Sequence, residues 1–208
     1  MRDRDRGLPG LDLPLSRLCV FCGSRDGARP EFLAAARELG RELVRRRVGL
    51  VYGGASVGVM GALADAVLAE QGEAIGVIPH GVFDREVAHT GLTELHVVQS
   101  MHARKAMMNE LSDAFLALPG GLGTFDELFE ALTWAQLGLH RKPIALLDVE
   151  RYFTPLLALL DQATREGFVR PEYRALVIDG DDPARLIGRM LAHEPPAGLF
   201  TWIRRDET

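Results

Sequence analysis

Residues 113–137, Asp-Ala-Phe-Leu-Ala-Leu-Pro-Gly-Gly-Leu-Gly-Thr-Phe-Asp-Glu-Leu-Phe-Glu-Ala-Leu-Thr-Trp-Ala-Gln-Leu, join an anion-type turn to carboxylates. The apolar run 114–118 reads as a buried strand. Gly120, Gly121 and Gly123 then let the backbone approach a ligand closely, because no Cβ intervenes. A helix opening directly after such a turn offers free N–H groups and a positive dipole end to an anion. Asp126 and Glu127 are expected in the first turn of that helix. A carboxylate beside an anion cradle does not bind the anion, which makes Glu127 a candidate for chemistry. On local sequence alone the other reading stays open, that both acids complement the helix dipole.

Two more segments carry residues suited to the same site. One is Tyr52-Gly53-Gly54-Ala55-Ser56-Val57-Gly58-Val59-Met60-Gly61, and the other is Met101-His102-Ala103-Arg104-Lys105-Ala106. Common nucleotide motifs do not fit them. A Walker A loop ends in Gly-Lys-Ser/Thr, whereas Gly58 is followed by Val59 and Met60. A dinucleotide fingerprint needs G-x-G-x-x-G after the first strand and an acid ending the second. Here the first strand runs into Cys22-Gly23-Ser24-Arg25 and the second into Gly53-Gly54.

The elements that must position these residues alternate along the chain. Strands are expected at 17–22, 49–52, 74–78, 95–98, 114–118, 143–147 and 176–178. Helices are expected at 30–46, 58–70, 101–111, 124–138, 154–166 and 183–191. Short, wholly apolar strands between amphipathic helices predict an α/β fold, a central parallel sheet with both faces covered. In such sheets ligands sit at the carboxyl ends of the strands. A single domain is expected over residues 17–193, with tails at 1–16 and 194–208.

Composition narrows the classes. The chain has 208 residues, enough for one domain with a substantial core, and a net charge of −5 that disfavours non-specific nucleic-acid binding. No apolar run approaches the roughly 20 residues that span a bilayer, and the N-terminus lacks a signal-peptide core. A cytoplasmic protein is expected, acting on a small molecule, without nucleic acid or membrane as partner. Cys19-Val20-Phe21-Cys22 has the C-x-x-C spacing but no second pair for zinc, and it lies in a strand whose alternation sends the two thiols to opposite faces. Two buried thiols are the expectation. The six histidines show no metal-ligand spacing, so no metal is expected and no cofactor is called for. Of 24 basic residues only Lys105 and Lys142 are lysines, which limits any chemistry that needs an amine.

The ordered set Cys19-Val20-Phe21-Cys22-Gly23-Ser24, the Gly53–Gly61 loop, Met101-His102-Ala103-Arg104-Lys105 and Pro119-Gly120-Gly121-Leu122-Gly123-Thr124-Phe125-Asp126-Glu127 resembles the LOG family. Its members are cytokinin riboside 5′-monophosphate phosphoribohydrolases, often labelled lysine decarboxylases. The similarity continues through Leu132-Thr133-Trp134-Ala135-Gln136-Leu137-Gly138 and Lys142-Pro143, and so covers most of the chain. It implies a Rossmann-like three-layer fold, a homodimer with sites near the interface, and a hydrolase. The reaction would release free base and ribose 5-phosphate from a nucleoside 5′-monophosphate such as AMP or a cytokinin nucleotide.

By the same resemblance Glu127 and Arg104 are the catalytic pair. Implied substrate contacts are Glu86, Lys105, Gly120, Gly121, Leu122, Gly123, Thr124, Asp126, Thr133, Gly54 and Ser56. Glu86 also reads as a surface acid, and Thr133 as a residue packing within its helix. The chain departs from the family at Ala55, commonly glycine, and at Asp126, commonly glutamate; both changes bear on substrate fit.

Cleavage of a ribosyl C–N bond builds positive charge at C1′ and the ring oxygen. A fixed carboxylate stabilises that charge and can orient or deprotonate water. Arginine is permanently charged and forked, suited to oxygens but a poor proton donor. Protonation of the leaving base is left to Asp126 or a water. The alternative function is a nucleotide- or molybdopterin-binding carrier of the same fold. A pyridoxal-phosphate decarboxylase would need a Schiff-base lysine, and Lys105 beside Arg104 at a phosphate site leaves that reading little room.

Overall fold

The computed structural model describes residues 15–83 and 88–196. Seven strands form one parallel sheet: β1 (Arg17–Phe21), β2 (Gly49–Tyr52), β3 (Ala74–Pro79), β4 (Glu94–Val98), β5 (Ala114–Ala117), β6 (Ile144–Leu147) and β7 (Val177–Gly180). They lie in the order β4-β3-β2-β1-β5-β6-β7. The helices are α1 (Pro30–Arg45), α2 (Gly58–Ala69), α3 (His80–Phe83), α4 (Met101–Glu110), α5 (Leu122–Gln136), α6 (Thr154–Arg165), α7 (Pro171–Arg174) and α8 (Pro183–Leu191), with a 3-10 turn at Val149–Arg151. This is the expected α/β architecture. The proposed tails fall largely on residues 1–14 and 197–208, outside the described residues, as does Glu86.

The strands form because apolar residues run through them without alternation. β2, β3, β5 and β6 are buried along their whole length, as a sheet covered on both faces requires. Leu18, Val20, Leu50, Leu116 and Ala145 pack on one face against α1, α2 and α8, through residues such as Leu39, Leu63 and Ile187. Cys19, Val51, Ile75, Phe115 and Leu146 pack on the other face against α4, α5 and α6, through Met108, Leu128 and Leu157. Truncating one such leucine to alanine costs ~2–5 kcal/mol of fold stability.

Cys19 and Cys22 belong to opposite clusters, both buried and unbridged. Burial pushes both thiols well up from their ordinary value, so neither supplies a thiolate.

Strand order reverses beside β1, whose neighbours are β2 and β5. A crevice opens there, outside the carboxyl ends of the strands. The chain leaves β2 into Gly53–Val57, β4 into the start of α4 at Met101 and β5 into Leu118–Gly121, so the three segments singled out by sequence converge on one edge, together with the Cys22–Gly27 loop after β1.

Candidate active site

A cavity of about 530 Å³ occupies that crevice. Its wall takes Gly23 to Gly27 from the β1 loop, Gly53 from the β2 loop, Ile78 and Pro79 from the end of β3, Met101 and Arg104 from α4, and Pro119 to Thr124 with Glu127 from the β5 turn and α5.

The glycines have separable reasons. A Cβ on Gly120 would lie 2.1 Å from Thr124 Oγ1 and 2.8 Å from the Gly23 nitrogen, so the turn closes only with glycine there. Gly121 and Gly123 are different: a Cβ on either meets nothing within 4 Å. Their missing side chains leave open space on the cavity side, where a ligand can reach the backbone. Gly121 is the N-cap of α5 and supplies no side-chain hydrogen bond to the helix end. By contrast, Ser100 caps α4 through the Ala103 N–H and Asp182 caps α8 through the Arg185 N–H. The uncapped N–H groups at the start of α5 therefore remain donors for an anion in the cavity.

Glu127 differs from the sequence expectation. α5 begins at Leu122, two residues earlier than expected, and its first turn holds no acid. Asp126 and Glu127 thus stand in the second turn, beyond the reach at which a carboxylate mainly complements the dipole. Glu127 is 5% exposed and faces Arg104 Nη1 at 3.2 Å. Burial pushes the Glu127 carboxyl above the ordinary carboxylate range; the Arg104 cation opposes that rise and the neighbouring Asp126 adds to it.

Arg104 is held from the other side as well. Its Nε donates to the Val77 carbonyl at 3.0 Å. A Cβ on Gly53 would lie 2.3 Å from Arg104 Nη2, so that glycine makes room for the guanidinium. A carboxyl and a guanidinium are thereby fixed facing each other on the wall of the cavity, beside the open start of α5.

The remaining candidates divide. Gly120, Gly121, Leu122, Gly123 and Thr124 line the cavity with Arg104 and Glu127. Lys105, Asp126 and Thr133 are not on its wall. Lys105 bridges α4 to α5, reaching Asp126 at 3.1 Å and Glu130 at 2.9 Å. Burial pulls the Lys105 ammonium down, but the Glu130 and Asp126 carboxylates outweigh it and hold the group above the ordinary lysine value. The Thr133 hydroxyl donates to the Phe129 carbonyl within α5. Gly54, with φ +80°, passes close to β3, and its carbonyl accepts from the His89 N–H at 2.9 Å. Ser56 lies at the foot of α2, where a Cβ on Gly61 would strike its carbonyl. The second lysine, Lys142, is spent on the Asn109 carbonyl and side chain and on the Phe115 ring.

Sequence reasoning passed over Tyr152. It follows Glu150 and Arg151, two non-glycine residues in the left-handed region at φ 51° and 60°. Such strain persists only where surrounding structure holds it. Asp148 supplies that hold, accepting from the Thr154 N–H at 3.1 Å and the Thr154 hydroxyl at 2.7 Å. Tyr152 lies parallel to Phe125 and edge-on to Phe32 and Phe153. Its hydroxyl donates to the Gly120 carbonyl, tying the turn to the cavity wall. Tyr152 and Gly120 are 32 residues apart, so no local pattern signals the contact.

Fold and cavity together define a Rossmann-like α/β protein with an anion cradle beside a buried Arg–Glu pair. A family model described as "Possible lysine decarboxylase" matches residues 60–190. The cytokinin riboside 5′-monophosphate phosphoribohydrolase LOG7 of Arabidopsis thaliana is 46% identical over 179 residues, covering 86% of this chain and 82% of that protein. The probable enzyme of the same description, LOGL2, of Oryza sativa subsp. japonica is 48% identical over 179 residues, covering 86% and 73%. The chain belongs to the LOG family. Among solved structures, the molybdenum cofactor binding protein of Rippkaea orientalis matches with a TM-score of 0.64 at 23% identity, covering 86% of this chain and 98% of that one. The Moco carrier protein of Chlamydomonas reinhardtii matches at 0.64 and 22% identity, covering 86% and 99%. These two share the fold.

Proposed function

We propose that this protein hydrolyses the N-glycosidic bond of a nucleoside 5′-monophosphate, releasing free base and ribose 5-phosphate. The observation that carries this reading is the buried Glu127–Arg104 pair, 3.2 Å apart, beside the uncapped N-terminus of α5. The names of relatives 46% and 48% identical over most of the chain support it.

In this reading the phosphate sits on the N–H groups of the 120–124 turn, and its binding energy positions the far end of the sugar. Glu127, one helical turn further on, faces C1′. Its charge stabilises the oxocarbenium-like transition state, and it orients or deprotonates the attacking water. Arg104 aligns the carboxylate and keeps it ionised against the cost of burial. Protonation of the departing base falls to water or Asp126. Glu86, Gly54 and Ser56 are proposed substrate contacts, as the family resemblance implies, whereas Thr133, with its hydroxyl bonded within α5, is assigned to that helix. Lys105, with Asp126 and Glu130, is assigned to holding α4 against α5. A lysine paired with two carboxylates is a poor Schiff-base nucleophile, which favours hydrolysis over amine chemistry. Incubation with AMP and with an isopentenyladenosine 5′-monophosphate, followed by chromatography for free base, tests the reading; no base from either substrate would refute it.

The acid limb of kcat/KM should report Glu127. Catalysis needs the carboxylate, so activity falls as pH drops through the Glu127 pKa. Because burial raises that value, the limb should lie above the ordinary carboxylate range. Arg104→Ala removes the opposing cation and should move the limb of the residual activity further up. A pH–rate profile checks both; a limb that moves down would contradict the assignment.

Tyr152→Phe deletes the hydroxyl that fixes the phosphate turn and leaves its rings in place. A net hydrogen bond of ~0.5–1.5 kcal/mol predicts that KM for the monophosphate rises by about 2–10-fold. Steady-state kinetics at constant melting temperature reads this.

We also propose a homodimer in the cytoplasm. Leu122 at 86%, Met101 at 42% and Phe129 at 39% exposure put apolar side chains on and beside α5, next to the cavity. A second copy would cover them. Light scattering should give about twice the 22.8 kDa chain mass, whereas a fully active monomer would contradict the dimer.

A further inference from the structure

Among the described residues two cations line the cavity, Arg104 and Arg25. Arg104 is committed to Glu127 and to the Val77 carbonyl. Lys105, outside the wall, is committed to Asp126 and Glu130. Arg29, in the same loop as Arg25, pairs with Glu150 at 3.2 Å. Among the described residues Arg25 has no ion pair, not even with the adjacent Asp26, which shares the wall. A phosphate monoester dianion at the start of α5 therefore faces the partial charge of a helix end and, among the described residues of the wall, one cation without an ion pair, Arg25.

The loop that bears Arg25 is built against the cradle. The Gly23 N–H donates to the Pro119 carbonyl at 3.1 Å, and the Met60 N–H donates to the Gly23 carbonyl at 3.1 Å. A Cβ on Gly23 would lie 3.2 Å from the Gly120 Cα. On the other side, a Cβ on Gly58 would strike the Ser24 carbonyl carbon at 2.3 Å and the Arg25 nitrogen at 2.4 Å, so α2 and the loop are in direct backbone contact. The loop is thus wedged between α2 and the glycine turn, with Gly23 against the turn and the Arg25 backbone against α2. Its long forked side chain starts two residues from a glycine that touches Gly120. Arg25 also borders the open groove beside the cavity, which places it at the mouth.

We infer that Arg25 is the cation that binds the substrate's 5′-phosphate and sets the preference for nucleotide over nucleoside. The inference rests on the hydrolase reading above and deepens it. A guanidinium makes bidentate, charge-assisted bonds to phosphate, and such a contact acts equally on ground and transition states. Its loss raises KM without lowering kcat.

The test uses wild type, Arg25→Gln and Arg25→Lys. Ribose 5-phosphate, which has the phosphate and no base, is titrated calorimetrically; AMP and adenosine are compared by steady-state kinetics. Arg25→Gln should weaken ribose 5-phosphate binding and raise KM for AMP at least about tenfold, with kcat near wild type. Its kcat/KM for adenosine should be unchanged, and Arg25→Lys should recover part of the loss. If Arg25→Gln matches wild type in both measurements while wild type releases base, the inference is overturned and the hydrolase reading stands. A fall in kcat at constant KM also overturns it. If wild type releases no base, the hydrolase reading fails, and the ribose 5-phosphate titration still decides whether Arg25 binds phosphate.

Discussion

Glu127→Gln should lower kcat by at least about 10²-fold while the substrate still binds. The substitution keeps the volume, and it leaves an amide oxygen for Arg104 to hold, so the wall of the cavity is preserved. What disappears is the negative charge facing C1′. That charge interacts weakly with a neutral ribose and strongly with an oxocarbenium-like one, so its loss appears in kcat more than in KM. Burial amplifies the effect: at 5% exposure no solvent takes over the role of the missing charge. Rapid-quench or steady-state assay of base release measures it, and near-normal turnover would remove Glu127 from the mechanism.

The second large effect is the dependence on phosphate. A nucleoside has no partner for the open N–H groups at the start of α5, nor for the cation at the cavity mouth. It loses the anchor that sets the distance between C1′ and Glu127, and misplacement of a reacting centre by about 1 Å can cost ~10²-fold. Adenosine or a cytokinin riboside should therefore show a kcat/KM at least about 10²-fold below that of its 5′-monophosphate. Equal values for the two would show that the glycine turn is not a phosphate site.

Much of this arrangement can be read from the chain. Wholly apolar segments such as Ile-Ala-Leu-Leu (Ile144–Leu147) announce strands buried on both faces, and the turn after β5 announces the cradle. The start of α5 is not legible in the chain, because Gly121, Leu122 and Gly123 look like loop residues. A helix capped only by backbone gives no side-chain signal, and the two-residue difference moves Glu127 out of the first turn into the second. Helices α3 and α7 and the 3-10 turn are too short for periodicity to reveal. Arg104 and Lys105 are neighbours in sequence but diverge on the helix surface, since adjacent positions do not share a face. One reaches the cavity while the other ties two helices together. Tyr152 and Arg25 are legible only in three dimensions, where loops from distant strands meet at the reversal of strand order.

The most direct measurement is product stoichiometry. Purified protein is incubated with a nucleoside 5′-monophosphate, AMP or its isopentenyl form, and free base and ribose 5-phosphate are quantified together. Both should appear in equal amounts with turnover by the wild type, and Glu127→Gln at the same concentration should form at most about one hundredth as much. Saturable binding of the nucleotide without release of base would contradict it, and would make the protein a carrier rather than an enzyme.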